Sequence, residues 1–316
     1  VIDPVRLAQS HAPARRQVAS AIAAGRRPHA WLVTGEAGVG KRAFAEWIAR
    51  AVLCDRAPEA CGACPGCRKV LSGNHADLEL VRREDGAQQI TVAQVRERIV
   101  PALGLAPVEG RGRVVLIDEA HALNVAAQNA LLKTLEEPPA GSLLLLVVER
   151  PDALLDTVRS RCQQIRLASL DDEAMRSLAP DGPPLLLSLA RGRPGRLAVL
   201  AALDLPAVVE ATDEVLAGRA PGTTFARTLA ALCRDADADV PRDDLHEAAL
   251  GVVHQRLRDH LAALAPGPSA EPAAAALRRA ERAVLEAGED LRRHVPHAVA
   301  WTALGVGLAS AAAEGA

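Results

Sequence analysis

The first chemistry legible in the chain is carried by Gly35-Glu36-Ala37-Gly38-Val39-Gly40-Lys41-Arg42. A G-x-x-x-x-G-K run between an apolar stretch and an apolar-periodic one is the pattern that cradles phosphates between a strand and a helix. Gly35, Gly38 and Gly40 let the backbone turn tightly and aim its N–H groups inward. Lys41 adds a point charge for the outer phosphates, and the helix N-terminus adds its dipole. The next position departs from the pattern. Where Ser or Thr would offer a hydroxyl to Mg²⁺, the chain has Arg42. At about 5 Å and an effective dielectric of about 20, a guanidinium and a divalent cation repel by about 6 kcal/mol. Arg42 must therefore swing away or replace the ion, and hydrolysis is expected to suffer in both cases.

A second cluster lies at Asp118-Glu119, directly after the apolar run Val114-Val115-Leu116-Ile117. Such a run reads as a strand buried on both faces of a parallel sheet. Carboxylates at its C-terminal end sit where ligands bind in open α/β sheets. Asp118 would orient a metal ion or its water, and Glu119 would polarise an attacking water.

Cys54, Cys61, Cys64 and Cys67 follow one another at spacings x6, x2 and x2, interleaved with Gly and Pro that permit tight knuckles. Four thiolates in so short a span supply the ligands of a tetrahedral ion, and zinc is the reading favoured. A disulfide pair is disfavoured in a reducing compartment, and an iron–sulfur cluster more typically has a further Cys followed by Pro. Four-sulfur coordination leaves no open position, so the expected role is structural.

These groups need elements to position them. The periodicities predict a strand over 30–33, a helix over 43–53, a strand near 78–81, and a helix over 92–103 capped by Thr91 with Val95 and Ile99 buried. A helix over 125–137 stops at Pro138-Pro139, and a strand spans 143–148. A short helix then ends at Arg159-Ser160-Arg161-Cys162 before an edge strand over 165–167. Before all of these, one short amphipathic helix is expected after Pro13, with Val18 and Ile22 on its apolar side. Arg161 comes after the core strands have finished. It is either a solvated arginine or one that points at a neighbouring molecule, and its place favours the second.

With 316 residues and 49% hydrophobic content, the chain can build two or three domains. Aromatics are only 2% of the residues, so the stacking platforms of single-strand binders are absent. The net charge of −2 argues against binding DNA through the overall field. No run is long and apolar enough for a membrane span and no signal-peptide pattern is seen, so a cytoplasmic protein is expected.

Taken together, the P-loop, the four-cysteine insertion, Asp118-Glu119-Ala120-His121, Asn129-Ala130-Leu131-Leu132-Lys133-Thr134-Leu135-Glu136-Glu137-Pro138-Pro139 and Ser160-Arg161-Cys162 resemble the bacterial clamp-loader AAA+ subunits of the DNA polymerase III holoenzyme. The resemblance runs from about residue 5 to 200. It implies an α/β AAA+ P-loop domain with a parallel sheet and zinc module over 1–168, a small helical lid over 169–206 and an all-α collar over 207–316.

Three departures from the motor subunits, gamma and tau, imply a delta-prime-like stator: Arg42, Val148 where motors carry a polar sensor, and Gly195 where motors carry a nucleotide-sensing Arg. Arg193 and Arg196 are adjacent candidates for that last role. The resemblance implies a rigid end subunit of a five-membered ring. Its partners would be the gamma or tau motors and the delta subunit and, through the complex, the sliding clamp and primer-template DNA. Arg161 would reach into a neighbour's ATP site. Lys41, Asp118 and Glu119 leave binding of ATP or ADP open. An active gamma/tau-like motor is the alternative, and a zinc-dependent DNA-binding module the third reading. The C-terminal third is Ala- and Leu-rich at helical spacing, with helices expected over 245–264 and 277–293 and a loop over 265–276.

Overall fold

Alternation within the strands decides the layering. The computed structural model describes all residues except 1, 2, 26, 57–59, 85, 86, 110, 237–241, 265–270, 294 and 316. Strands β1 (Ala30–Thr34), β2 (Leu78–Val81), β3 (Arg113–Ile117), β4 (Ser142–Val148) and β5 (Gln163–Arg166) form one sheet in the order β2-β3-β4-β1-β5. Every neighbouring pair is parallel. Because side chains alternate along a strand, Trp31, Val33, Leu116 and Leu145 enter one core, while Leu32, Ile117, Leu144 and Leu146 enter the other. Both faces are covered, which is why the central strands are apolar throughout.

In a parallel sheet all C-terminal strand ends share one edge. The glycine loop leaves β1 there, Asp118-Glu119 leaves β3, and Glu149 follows β4. This is the α/β architecture with a parallel sheet that the sequence leads one to expect.

Four helices frame the site: α1 (Pro4–Ser10), α2 (Ala12–Ala23), α3 (Lys41–Leu53) and α4 (Pro65–Leu71). The single helix expected near the N-terminus is in fact two. Asp3 caps α1 by accepting from the Val5 N–H, with Pro4 in the first turn, and the chain breaks at His11 (φ −90°, ψ 52°) before α2 begins. Val18 is buried and Ile22 packs against the same core. Helix α3 begins at Lys41, two residues earlier than its apolar period suggests, because left-handed Gly40 serves as its N-cap.

Thr91 opens the helix after β2 with a full capping box, exchanging hydrogen bonds with Gln94. That helix widens to π geometry over Val95–Ile99 and resumes over Val100–Gly104. Pro101 explains the widening, since its ring collides with the carbonyl four residues back and its nitrogen donates nothing. Val95 and Ile99 are buried.

Contacts divide the chain into two units, 1–181 with 192–195, and 182–191 with 196–316. The second unit is helical: Pro184–Ala190, most of Gly195–Ala201, Leu205–Leu216, Gly222–Asp235, Arg242–Ala263, Glu271–Arg292 and His297–Gly315. The boundary drawn at 206 in the sequence falls inside it. Of the expected loop over 265–276, residues 265–270 lie outside the described residues. The rest forms the first six residues of a helix that starts at Glu271. Helices Gly222–Asp235 and His297–Gly315 touch backbone to backbone, and a Cβ on Gly222 would lie 2.1 Å from the Gly305 carbonyl. Among the described residues no helix is long and apolar enough to cross a membrane.

Candidate functional site

The glycine loop needs its glycines. Gly35, Gly38 and Gly40 have φ of +151°, +75° and +101°. A Cβ on Gly35 would meet the Leu167 carbonyl at 2.7 Å, and one on Gly40 would meet the Leu7 side chain of α1 at 3.0 Å. Lys41 is folded back on the loop, with Nζ donating to the carbonyls of Gly35 at 2.9 Å and Glu36 at 2.8 Å. Burial pushes its ammonium pKa down, while Glu149, Asp118 and Glu36 pull it back up.

Both carboxylates after β3 are held by arginines of the same chain. Arg42 Nη1 lies 3.3 Å from Asp118 Oδ2, and its Nε lies 3.0 Å from Glu46 Oε1, one turn along α3. Asp118 Oδ1 also accepts the Glu119 N–H. Arg83, in the segment after β2, grips both oxygens of Glu119 at 2.8 and 2.7 Å. The Arg83 hydrogen bonds hold the Glu119 carboxyl below the usual carboxylate range, and Glu119 itself is left-handed, at φ 53°. The sheet order sets β2 beside β3 and so brings Arg83 to Glu119, which nothing in the spacing foretold.

A further segment of the first unit lies on the loop. The Gly195 N–H donates to the Gly38 carbonyl at 2.8 Å, and a Cβ at Gly195 would come 2.9 Å from Gly38 Cα. Arg193 lies 3.7 Å from Glu36. Of the two neighbouring arginines, Arg193 thus approaches the P-loop within the first unit, and Arg196 belongs to the second unit, where it lies near Gly251. Val148 is fully buried and pairs in register with Thr34. His11, also unmarked in the sequence, binds the Val39 carbonyl through Nε2 at 2.9 Å.

Arg161 sits in the turn between the helix Asp156–Arg159 and β5. Its guanidinium donates to Glu136 Oε1 at 2.7 Å and to the Thr157 carbonyl at 2.9 Å. The side chain remains 35% exposed, so it is oriented without being enclosed. Glu136 belongs to the long motif before Pro138-Pro139.

The four cysteines converge. The sulfurs of Cys54, Cys61, Cys64 and Cys67 all lie within 4.8 Å of one another. Cys54 and Cys64 are 3.9 Å apart, and Cys61 and Cys67 are 4.0 Å apart. A tetrahedron with Zn–S bonds of about 2.3 Å has edges of about 3.8 Å, so the set fits zinc and is too open for disulfides. Helix α4 approaches the end of α3 closely enough that a Cβ on Gly66 would lie 2.7 Å from the Leu53 carbonyl. Backbone N–H groups of Arg56, Cys64 and Cys67 donate to the sulfurs of Cys54, Cys61 and Cys64. Donors from Ala63 and Cys64 pull the Cys61 thiol down to about 6, while burial pushes Cys54 and Cys67 up.

Comparison with known proteins places these features in context. A family model described as DNA polymerase III, delta subunit, matches residues 10–171. DNA polymerase III subunit delta' of Pseudomonas aeruginosa is 41% identical over 176 residues, 52% of this chain and 53% of that one. Its Escherichia coli counterpart is 33% identical over 229 residues, 70% of this chain and 68% of that one. DNA polymerase III subunit tau of Salmonella typhimurium is 40% identical over 161 residues, 50% of this chain and 24% of that one. The match thus spans about half the length of the Pseudomonas relative and about a quarter of the tau subunit.

Proposed function

This chain belongs to the DNA polymerase III delta-prime family, and on that premise we propose that it is the stator subunit of a replicative clamp loader. In this reading it assembles in the cytoplasm with gamma or tau motor subunits and a delta subunit to load the sliding clamp on primed DNA. It hydrolyses no ATP itself. The observation that carries the reading is the Arg42–Asp118 ion pair, which sets a fixed cation between the P-loop and the carboxylate that would hold Mg²⁺.

Other contacts support it. Nucleotide entry requires Lys41 to give up two loop carbonyls. Phosphates would also have to share the loop with the Gly195 backbone. ATP or ADP, if taken up, would rest on Gly35, Gly38, Gly40 and Lys41, with Mg²⁺ disfavoured by Arg42. Glu119 would have to leave Arg83 before it could polarise water.

Arg161 is the residue offered outward. An arginine supplied in trans stabilises charge on a transferring phosphoryl group and is worth about 10³ to 10⁵ in rate in GTPase systems. Glu136 and the Thr157 carbonyl fix the direction of its guanidinium. Cys54, Cys61, Cys64 and Cys67 would hold zinc, which supplies a structural cross-link between the end of α3 and α4. The lid over 169–206 and the collar over 207–316 complete the proposed organisation.

The test is reconstitution. A clamp loader rebuilt from motor and delta subunits loads the clamp on primed DNA only when this chain is added, and the chain alone turns over no ATP. Turnover by the isolated chain that is lost in Lys41→Ala would establish the motor reading instead.

A further inference from the structure

The least economical residue in the fold is Arg50. It lies in the last turn of α3 with 1% of its surface exposed, and among the described residues none of its three guanidinium nitrogens has a hydrogen-bond partner. Arginine carries five N–H donors and keeps its charge in any protein environment. A buried cation with all of these unmet is among the costliest things a fold can hold.

Local helix physics does not account for it. A cation in the last turn gains something from the helix dipole, yet the same gain is available at the surface, where the guanidinium stays hydrated. The carboxylates nearest in charge are engaged elsewhere: Glu46 pairs with Arg42, and Asp3 caps α1. Among the described residues, neither comes within ion-pair distance of Arg50.

The cysteine cluster is what remains. Arg50 stands four residues before Cys54, so the two share a face of α3 as it ends. Cys54 and Cys67 are themselves fully buried. Burial pushes the Arg50 guanidinium down, and among the groups that pull it back up Cys67 comes first, ahead of Glu46 and Asp3. Four thiolates around a divalent ion carry a net charge of −2. Two disulfides, or four thiols, carry none.

We propose that Arg50 is the built-in counter-charge of the four-cysteine site, so that the site is made for a dianionic tetrathiolate of a divalent metal and Arg50 sets its affinity. The proposal rests on the reading of Cys54, Cys61, Cys64 and Cys67 as a zinc site. It adds a residue that touches no metal yet holds the ligands in their charged form. The cation and the metal are each costly without the other: metal-free, Arg50 is an uncompensated buried charge, and without Arg50 the dianion is uncompensated.

This reciprocity gives the test its signs. The full-length chain is prepared metal-free under reducing conditions as wild type, Arg50→Met and Arg50→Lys. Each is titrated with Zn²⁺ against a chromophoric chelator and with Co²⁺, whose thiolate charge-transfer and tetrahedral ligand-field bands report the site directly. Outer-shell partners are typically worth about 10- to 100-fold in metal affinity. Arg50→Met is expected to weaken Zn²⁺ by at least about tenfold with unchanged Co²⁺ band positions, and Arg50→Lys is expected to recover part of the loss.

Thermal melts supply the second readout. Metal-free Arg50→Met is expected to be at least as stable as the metal-free wild type, whereas the zinc-loaded variant is less stable than the zinc-loaded wild type. Wild-type zinc affinity in Arg50→Met overturns the proposal, as does an equal loss of stability with and without metal, since Arg50 would then be packing alone. If the wild type itself takes up neither Zn²⁺ nor Co²⁺, the reading of the cysteines falls together with the proposal, and that outcome is distinct from the other two.

Discussion

Arg42 Nη1 lies 3.3 Å from Asp118 Oδ2, across the space between the glycine loop and the end of β3. In the proposed reading, the residue standing where a metal ligand is expected pairs with the carboxylate expected to orient the metal. Replacing the guanidinium by a hydroxyl frees Asp118 and removes the repulsion of a divalent cation. Arg42→Thr is therefore expected to gain a Mg²⁺-dependent component of nucleotide binding of at least about tenfold, measured with a fluorescent ATP analogue with and without Mg²⁺. The wild type should show no such dependence. Equal dependence in both proteins would mean that Arg42 does not govern the metal.

Arg161 is held by one bond from each of two nitrogens, to Glu136 and to Thr157. A planar fork of this kind is not replaced by an ammonium. In a rebuilt clamp loader Arg161→Lys should lower ATPase nearly as far as Arg161→Ala, within about threefold. Full rescue by lysine would show that the position needs only charge.

His11 is buried, and its Nε2–H donates to the Val39 carbonyl of the glycine loop. Burial lowers its pKa below 6.5, against the opposing effect of that hydrogen bond. Between the lowered folded value and the unfolded one near 6.5, the unfolded chain binds more protons. Stability is therefore full above about 6.5 and falls as pH drops, by up to about 1.4 kcal/mol per pH unit for one group. His121 is shifted down as well, with burial as its first cause. Denaturant unfolding at pH 7.5, 6.5 and 5.5 should show the decline, and His11→Gln should flatten it in part. A pH-independent midpoint in the wild type would contradict the assignment.

Gln128 is 2% exposed and makes three bonds. It donates to the Leu123 and Ala153 carbonyls and accepts from the Leu155 N–H. It thereby ties the helix Val125–Glu136 to the segment that leads to Arg161. Truncation leaves buried backbone groups unpaired at about 1–3 kcal/mol each, so Gln128→Ala should destabilise the chain by about 2–4 kcal/mol in denaturant unfolding. A loss below about 0.5 kcal/mol would mean that water replaces the amide without cost.

The parts of the site written in adjacent residues were legible in the sequence: the glycine loop, Asp118-Glu119 and the cysteine knuckles are local patterns, and so is the Thr91 cap. What the sequence hid depends on sheet order and distance. Arg83 meets Glu119 only because β2 lies beside β3, and Glu136 meets Arg161 across 25 positions. Arg50 reads as one more polar residue on an amphipathic helix, and only burial exposes it as an exception. The break at His11 is hidden in the sequence because the seven residues of α1, led by Pro4, make too short a periodic signal. In the C-terminal helices, Gly222 and Gly305 bring two backbones into contact, a pairing between distant positions that no local period announces.

The central claim is that this chain lacks its own hydrolysis and completes a neighbour's. The most direct measurement is steady-state ATPase of the clamp loader rebuilt with wild-type motor and delta subunits and either this chain or its Arg161→Ala variant, at matched assembly by gel filtration. The account predicts a loss of at least about tenfold in the part of the rate that depends on this chain. An unchanged rate in the fully assembled complex would contradict it.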